Sequence, residues 1–343
     1  MKFNNLGENN QPTAYTFQWQ GAKFVEVNPA TDPGATKILF PKPAWKNYPL
    51  NGTAVLHSII DGVLTGSVYA LMATGLTLIF GVMNIINVAQ GIFVILGAYL
   101  SYALSVHLGI DLFVGLAITI PTLFVVGIVV ERVFLSRIKG PERVVMSILV
   151  TYAISLVIEG VLNMVFSANY VELHAWYANR SVRVFGFYLG YIYLLGFGLA
   201  VVLLGALYVM LYRTRFGSSV RASLADQTAA ALIGINVRRV STICFGLGVA
   251  VTAAGGMIYG ATNAFNASSS YDLISRLLVI IVLGGMGSIG GALVAGIMMS
   301  TIEDLVSVVW GPVWSNLAFF LILVVVLSLR PQGLFGKPSV RVA

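Results

Sequence analysis

Long apolar runs, separated by short polar or basic stretches, make up most of the chain. A helix needs about 20 apolar residues to cross the hydrocarbon core of a membrane. Six runs have that length without ambiguity, and they predict an all-α, polytopic transmembrane helix bundle. They cover residues 91–109, 112–133, 144–166, 187–211, 241–262 and 313–329.

Two further apolar regions, 54–88 and 273–302, are each too long for one straight membrane-spanning helix and rather short for two. One crossing each gives eight spans, and two crossings each give ten. We expect ten, with the short halves broken near Gly75 and around Gly287. Cytoplasmic loops are enriched in Lys and Arg, and ten spans place both tails and all basic clusters on that side. The clusters are Arg132, Arg137, Lys139 and Arg143; Arg213, Arg215, Arg221, Arg238 and Arg239; and Arg330, Lys337 and Arg341.

Glycines or amides interrupt both of these regions. Residues 284–291 carry five glycines and a serine within an uncharged apolar run, where we expect a break at mid-depth in the bilayer. A broken helix persists in hydrocarbon only where it is buried in protein or lines a wet cavity, and paired broken segments indicate a transport path. The predicted path contains Asn84, Asn87, Gln90, Gly91, Gly284, Gly285, Gly287, Ser288 and Gly290.

The three amides of this set are spaced three residues apart, so they share one face if their segment is helical. Amides facing lipid would be costly, whereas a wet cavity or a partner helix satisfies their hydrogen bonds. Two interpretations remain open: the amides line the path, or they hold neighbouring helices together.

The loop 212–240 joins two arginine-rich stretches and is predicted to be cytoplasmic. Its middle, 225–232, is rich in alanine and has Asp226 near the start, a pattern that favours a short helix. Gly234 and Asn236 provide a plausible end for that helix. Such an element suits the docking of a soluble partner, and an ordinary surface helix is the alternative.

Composition supports a membrane protein, because 58% of the residues are hydrophobic and only 10% are charged. The net charge of +7 comes from basic residues at span ends, so we expect no nucleic-acid partner. The domains expected are a polar, proline-bearing and mostly irregular tail (1–52), a membrane domain (53–330) and a short C-terminal tail (331–343).

No pattern predicts catalysis, a metal site or a cofactor. The single cysteine, Cys244, excludes an internal disulfide, the three histidines are isolated, and no phosphate-binding Gly-x-x-x-x-Gly-Lys motif occurs. Few ionisable residues lie within the apolar regions: Asp61 and Glu159, with Arg276, Glu303 and Asp304 nearer the interfaces. These provide a thin basis for an ion-coupled carrier, which usually needs a buried carboxylate relay.

Several blocks resemble the branched-chain amino acid ABC transporter permeases. They are Gly75-Leu-Thr-Leu-Ile-Phe-Gly81, Ile86-Asn-Val-Ala-Gln-Gly91, Leu96-Gly-Ala-Tyr99, Ala229-Ala-Ala-Leu-Ile-Gly-Ile-Asn236, Val282-Leu-Gly-Gly-Met-Gly-Ser-Ile-Gly-Gly291 and Arg330-Pro-Gln-Gly-Leu-Phe-Gly336. They occur in the family's order over residues 54–337, and their combination is specific. Gln90 departs from the pattern, because the family commonly has His before that glycine.

The resemblance implies a multi-pass inner-membrane permease subunit of an importer, surrounded by lipid. It also implies ABC ATPase subunits, a second permease subunit and an extracytoplasmic solute-binding protein as partners. The ATPase-coupling loop that it implies contains Arg221, Ala222, Asp226, Ala229, Ala230, Ala231, Gly234, Ile235 and Asn236. A branched-chain or other amino acid is the expected solute. Urea, short amides or another small solute are alternatives, and an ion-coupled secondary carrier is the alternative of another class.

Overall fold

The computed structural model describes residues 16–20, 23–28, 52–138, 140, 142–175, 177–178, 180–184 and 187–336. The chain divides into two units, Met1–Asn51 and Gly52–Ala343. The first contains an antiparallel hairpin of β1 (Thr16–Gln20) and β2 (Lys23–Asn28), in which Trp19 pairs with Phe24. This hairpin lies within the tail that was expected to be mostly irregular, and a short alternation of apolar and polar residues marks it.

The second unit is helical, as predicted, with one small hairpin between its fourth and fifth helices. The hairpin consists of β3 (Ser181–Val184) and β4 (Phe187–Gly190). The helices are α1 (Gly52–Met83), α2 (Gln90–Leu108), α3 (Leu112–Val133), α4 (Arg143–Phe166), α5 (Tyr191–Arg213), α6 (Arg215–Ala225), α7 (Gln227–Leu232), α8 (Val237–Thr262), α9 (Ser270–Gly284), α10 (Ile289–Val309) and α11 (Pro312–Leu329).

Within the described residues, nine helices are long and apolar enough to cross a membrane. The expected count of ten is therefore not confirmed. The region 273–302 does form parts of two helices, α9 and α10, separated around Gly287 as predicted. The region 54–88 behaves differently, because α1 continues without a break to Met83.

The prediction of a break near Gly75 is wrong because this glycine serves helix packing. A Cβ at Gly75 would lie 2.4 Å from the carbonyl oxygen of Gly248 in α8. The missing side chain thus lets α1 and α8 cross with their backbones in contact. These are also the two most deeply buried of the long helices, and they form the centre of the bundle.

Small residues also bring α1 against α10. A Cβ at Gly62 would lie 2.4 Å from the Cα of Thr301, and one at Gly66 would lie 2.7 Å from the Cα of Ile297. The two helices run antiparallel, because successive residues of α1 meet earlier residues of α10. The sequence interpretation of Gly62 and Gly66 as a packing pair is consistent with these contacts.

The packing places the arginine-bearing turns at one end of the bundle, which we call the basic end. It carries the α3–α4 turn, the α5–α8 connection and the residues after α11. The opposite end carries the start of α1, where the ring of His57 lies 3.0 Å from the carbonyl oxygen of Tyr188 in β4. An odd number of crossings therefore separates Gly52 from the end of α11.

Candidate translocation pathway and coupling surface

The loop between α5 and α8 forms two short helices at the basic end, α6 and α7, rather than the single one expected. Asp226 separates them and caps α7, since its carboxylate accepts from the backbone N–H groups of Thr228 at 2.7 Å and Ala229 at 3.0 Å. Asn236 caps α8 in the same way by accepting from Arg239 N–H at 3.0 Å. Both residues therefore position the helices, as N-cap side chains do.

Other predicted coupling residues also hold the shape of this loop. Arg221 donates to the carbonyl oxygen of Leu211 and lies 5.1 Å above the ring centre of Tyr212. Gly234 adopts a φ of +86°, a conformation that favours glycine. Ala230 is buried and its carbonyl oxygen accepts from Ile235 N–H, while Ala222 is half-buried and Ala229 and Ala231 are exposed.

The most exposed apolar side chains of the loop are Leu232 and Ile233, at 84% and 74% exposure. They stand side by side at the end of α7, and the sequence analysis did not single them out. A short helix that presents two large aliphatic side chains beyond the basic end is suited to docking another protein. Their adjacency to a predicted helix end was the signal that could have found them.

The loop between α5 and α8 also contacts the transmembrane helices. The side-chain amide of Gln227 donates to the carbonyl oxygen of Val82, in the last turn of α1. A Cβ at Gly81 would lie 2.5 Å from Leu224 of α6 and 3.5 Å from Gly287. The end of α1 thus lies between α6, α7 and the glycine-rich break.

The glycine-rich break is a tight turn at the basic end, so the expectation of a mid-depth break is wrong. Gly285 and Gly287 have φ values of +90° and +85°, which glycine alone adopts easily. Gly284 meets the start of α10, because its Cβ would lie 2.5 Å from Gly291. Ser288 caps α10 by accepting a hydrogen bond from Gly291 N–H at 3.1 Å. At Gly290 a Cβ would have no neighbour within 4 Å.

The chain after α11 packs onto this turn. Leu334 N–H donates to the carbonyl oxygen of Leu283 at 2.7 Å, and a Cβ at Gly285 would lie 2.5 Å from Gly336 N. The last two blocks that resemble the permease family, 282–291 and 330–336, lie 39 or more residues apart in the sequence. In the structure they pack against each other and form one feature. The turn is closed by backbone contacts for which only small residues leave room.

The second predicted segment of the path is not helical, so its amides do not share a helix face. Residues 84–89 form an irregular link between α1 and α2, in which Asn84 is exposed at a φ of +51°. The link returns into the bundle, because Gln90 begins α2 beside Gly248, in the middle of α8. The structure thus separates Asn84 from Asn87 and Gln90, which are both fully buried.

Asn87 and Gln90 form one hydrogen-bond network with α8. The amide of Asn87 donates to Oε1 of Gln90 at 2.9 Å. The amide of Gln90 donates in turn to the hydroxyl of Thr252 and, at 3.3 Å, to the carbonyl oxygen of Gly248. Gly91 allows this approach, since its Cβ would lie 2.3 Å from the carbonyl oxygen of Ser270 in α9. This geometry favours the alternative in which the amides hold helices together.

A charged cavity that the sequence analysis passed over lies between α1, α8, α9 and α10, toward the end opposite the basic end. Its volume is about 260 Å³. Arg276 lies in its wall and donates to both carboxylate oxygens of Glu303 at 2.7 Å and to Asp272 at 3.1 Å. Asp304 also lines the cavity. The signal for this site was the group Arg276, Glu303 and Asp304, three ionisable residues near the ends of one apolar region.

Many apolar helices, a re-entrant link and a structured loop at the basic end define an integral membrane transport protein. The chain matches the family described as branched-chain amino acid transport system / permease component over residues 58–327. Because this match covers most of the chain, the protein belongs to that family. It is a multi-pass membrane permease subunit of an ABC transport system and not an enzyme, as the sequence predicts.

Individual relatives support the assignment along nearly their whole length. The chain is 30% identical to the high-affinity branched-chain amino acid transport system permease protein LivH of Escherichia coli (strain K12), over 83% of this chain and 96% of the relative. It is 27% identical to BraD of Pseudomonas aeruginosa, over 83% and 97%. It is 29% identical to a probable LivH of Methanocaldococcus jannaschii, over 81% and 92%. No solved structure matches the chain.

Proposed function

We propose that this permease subunit imports a branched-chain amino acid, driven by ABC ATPase subunits that dock on α6 and α7. A second permease subunit and an extracytoplasmic solute-binding protein complete the transporter. The observation that carries the docking site is the exposed pair Leu232 and Ile233 at the end of a capped helix. Apolar side chains of this size stay exposed at a cost unless a partner covers them.

The orientation follows from charge. The basic end faces the cytoplasm in this proposal, because short cytoplasmic loops carry an excess of Lys and Arg. That side also holds the ATP supply and therefore the ATPase subunits. The opposite end, with the α4–α5 hairpin and the charged cavity, then faces the solute-binding protein.

The coupling route runs from the docking surface to the glycine-rich turn through the end of α1. A displacement of α7 is transmitted to Val82 through Gln227, and a displacement of α6 is transmitted to Gly81 through Leu224. Gly81 lies against Gly287. The turn between α9 and α10 is thus mechanically linked to the ATPase site by direct contacts.

The solute assignment rests on the names of the relatives, which are branched-chain amino acid permeases. Family membership also favours an ATP-driven subunit over the ion-coupled carrier. Urea and short amides remain outcomes of a direct uptake assay with a panel of labelled solutes.

The docking proposal is tested by the double variant Leu232→Ser and Ile233→Ser. Without these two apolar side chains the ATPase should no longer co-purify and solute uptake should be lost, while the permease still accumulates in the membrane. The matched control is Leu108→Ser, which changes an exposed leucine (65% exposed) at the other end of the bundle and should bind ATPase normally. Normal ATPase binding by the double variant would contradict the docking site.

A further inference from the structure

We propose that the cavity between α1, α8, α9 and α10 is a solute site, which holds an amino acid with its ammonium group at Asp304 and its apolar side chain on α1 and α8. This inference rests on the proposed function, since it names the residues that contact the transported amino acid. It adds a binding site that lies away from both glycine- and amide-rich segments.

The charges of the cavity wall favour a cationic group. Three carboxylates and one guanidinium line it: Asp272, Glu303, Asp304 and Arg276. The guanidinium is already engaged, because it donates to Glu303, Asp272 and, at 2.6 Å, to Oδ1 of Asn316. The wall therefore carries an excess of negative charge, which attracts a ligand with a positive charge.

Asp304 is the carboxylate that is available for that ligand. Both carboxylate oxygens of Glu303 accept hydrogen bonds from Arg276. The carboxylate of Asp61, nearby on α1, lies 2.7 Å from the ring of His57. Among the described residues, the carboxylate of Asp304 forms no hydrogen bond or ion pair. An ammonium group at this position would form charge-assisted hydrogen bonds in a partly desolvated setting.

The remainder of the cavity suits the rest of an aliphatic amino acid. Val68, Met72 and Ile258 supply an apolar surface for a branched side chain. Tyr69 and Tyr259 line the same cavity and offer hydroxyl donors for a carboxylate. The volume of about 260 Å³ lies just below the usual range of ligand pockets, so it restricts the site to small solutes.

Cysteine protection in the assembled transporter tests the site directly. Asn263→Cys, in a Cys244→Ser background, places a reporter on the exposed rim of the cavity. We expect saturating L-leucine to slow its reaction with a membrane-impermeant maleimide several-fold. Leu108→Cys, which lies outside the cavity, is the matched control and should react at the same rate with or without leucine.

Two leucine fragments and one variant identify the group that Asp304 binds. We expect 3-methylbutylamine, which keeps the ammonium, to protect the reporter, and 4-methylpentanoate, which keeps only the carboxylate, to give no protection. Adding Asp304→Asn should raise the half-protecting concentration of L-leucine by about ten-fold or more, because a charge-assisted hydrogen bond is lost. Glu159→Gln is the control carboxylate change, since Glu159 bonds Tyr271 rather than the cavity.

The outcomes separate this inference from the function on which it rests. A transporter that imports leucine without protecting the reporter, or in which Asp304→Asn leaves protection unchanged, overturns the site and leaves the function intact. Equal protection by the amine and the acid also overturns it. A wild-type transporter that imports no leucine overturns the proposed solute, and the site assignment with it.

Discussion

Gln90 shows how a single side chain can connect two helices and the irregular link between α1 and α2. It begins α2, accepts from Asn87 in the link after α1, and donates to Thr252 and Gly248 of α8. All of these atoms are buried away from water and lipid, so each hydrogen bond removes a desolvation cost. The departure from His at this position therefore falls on a side chain that contacts α8.

Replacing Gln90 by Leu should destabilise the permease. The change leaves the amide of Asn87 without its acceptor and removes the bonds to α8, at a cost of about 1–3 kcal/mol. The measurement is the apparent melting temperature of the purified chain in detergent, which should fall.

The control for Gln90→Leu is Asn84→Gly in the same link. Asn84 is exposed and has a φ of +51°, which glycine adopts without strain, so this variant should melt at the wild-type temperature or above. If Gln90→Leu melts like the wild type but transports more slowly, the amides line the path and the interpretation as a helix contact is wrong.

At the scale of elements, the bundle is organised by glycine contacts between α1, α8 and α10. The sequence shows the glycines, but a glycine in an apolar run is compatible with either a break or a close approach of backbones. Gly75 and Gly287 illustrate the two outcomes. Gly75 stays helical against α8, while Gly287 has a positive φ and lies in a turn.

Gly248→Val should disrupt the crossing of α1 and α8. A Cβ at this position would lie 2.6 Å from the carbonyl oxygen of Gly75 and 2.8 Å from Ile79, so the helices must move apart. We expect a loss of about 1–3 kcal/mol or misfolding, measured as a lower melting temperature and less protein in the membrane. Gly205→Val, at a glycine with no neighbour within 4 Å, is the control and should accumulate normally. Equal accumulation of the two variants would contradict a tight crossing.

For the whole molecule, nine candidate crossings, like the ten expected, place all described arginine clusters at one end. Because the number is odd, the basic end holds the C-terminal end of the bundle and all described arginine clusters, and Gly52 lies at the opposite end. In the proposed orientation Gly52 therefore lies on the outer side, whereas ten spans would have placed it inside.

Labelling of single cysteines in intact cells tests this arrangement. In a Cys244→Ser background, Gln20→Cys should react with a membrane-impermeant maleimide added outside, because the tail is joined to the outer end of α1. Ser218→Cys, in α6 at the basic end, should react only after the cells are opened. Protection of both residues, or reaction of both, would restore an even number of spans, and the reverse pattern would contradict the proposed orientation.

The sequence by itself determines the helical class, most span boundaries, the position of the loop between α5 and α8 and the family. These properties depend on local runs of apolar residues and on short motifs, which are fully present in the chain. Only the tertiary structure decided that α1 is unbroken, that the glycine-rich break is a turn at the basic end, and that Asn84 is separated from Asn87 and Gln90. It alone brought Val68, Ile258 and Asp304 around one cavity. The physical reason is that these outcomes depend on which distant backbones approach each other, and local hydropathy carries no information about that pairing.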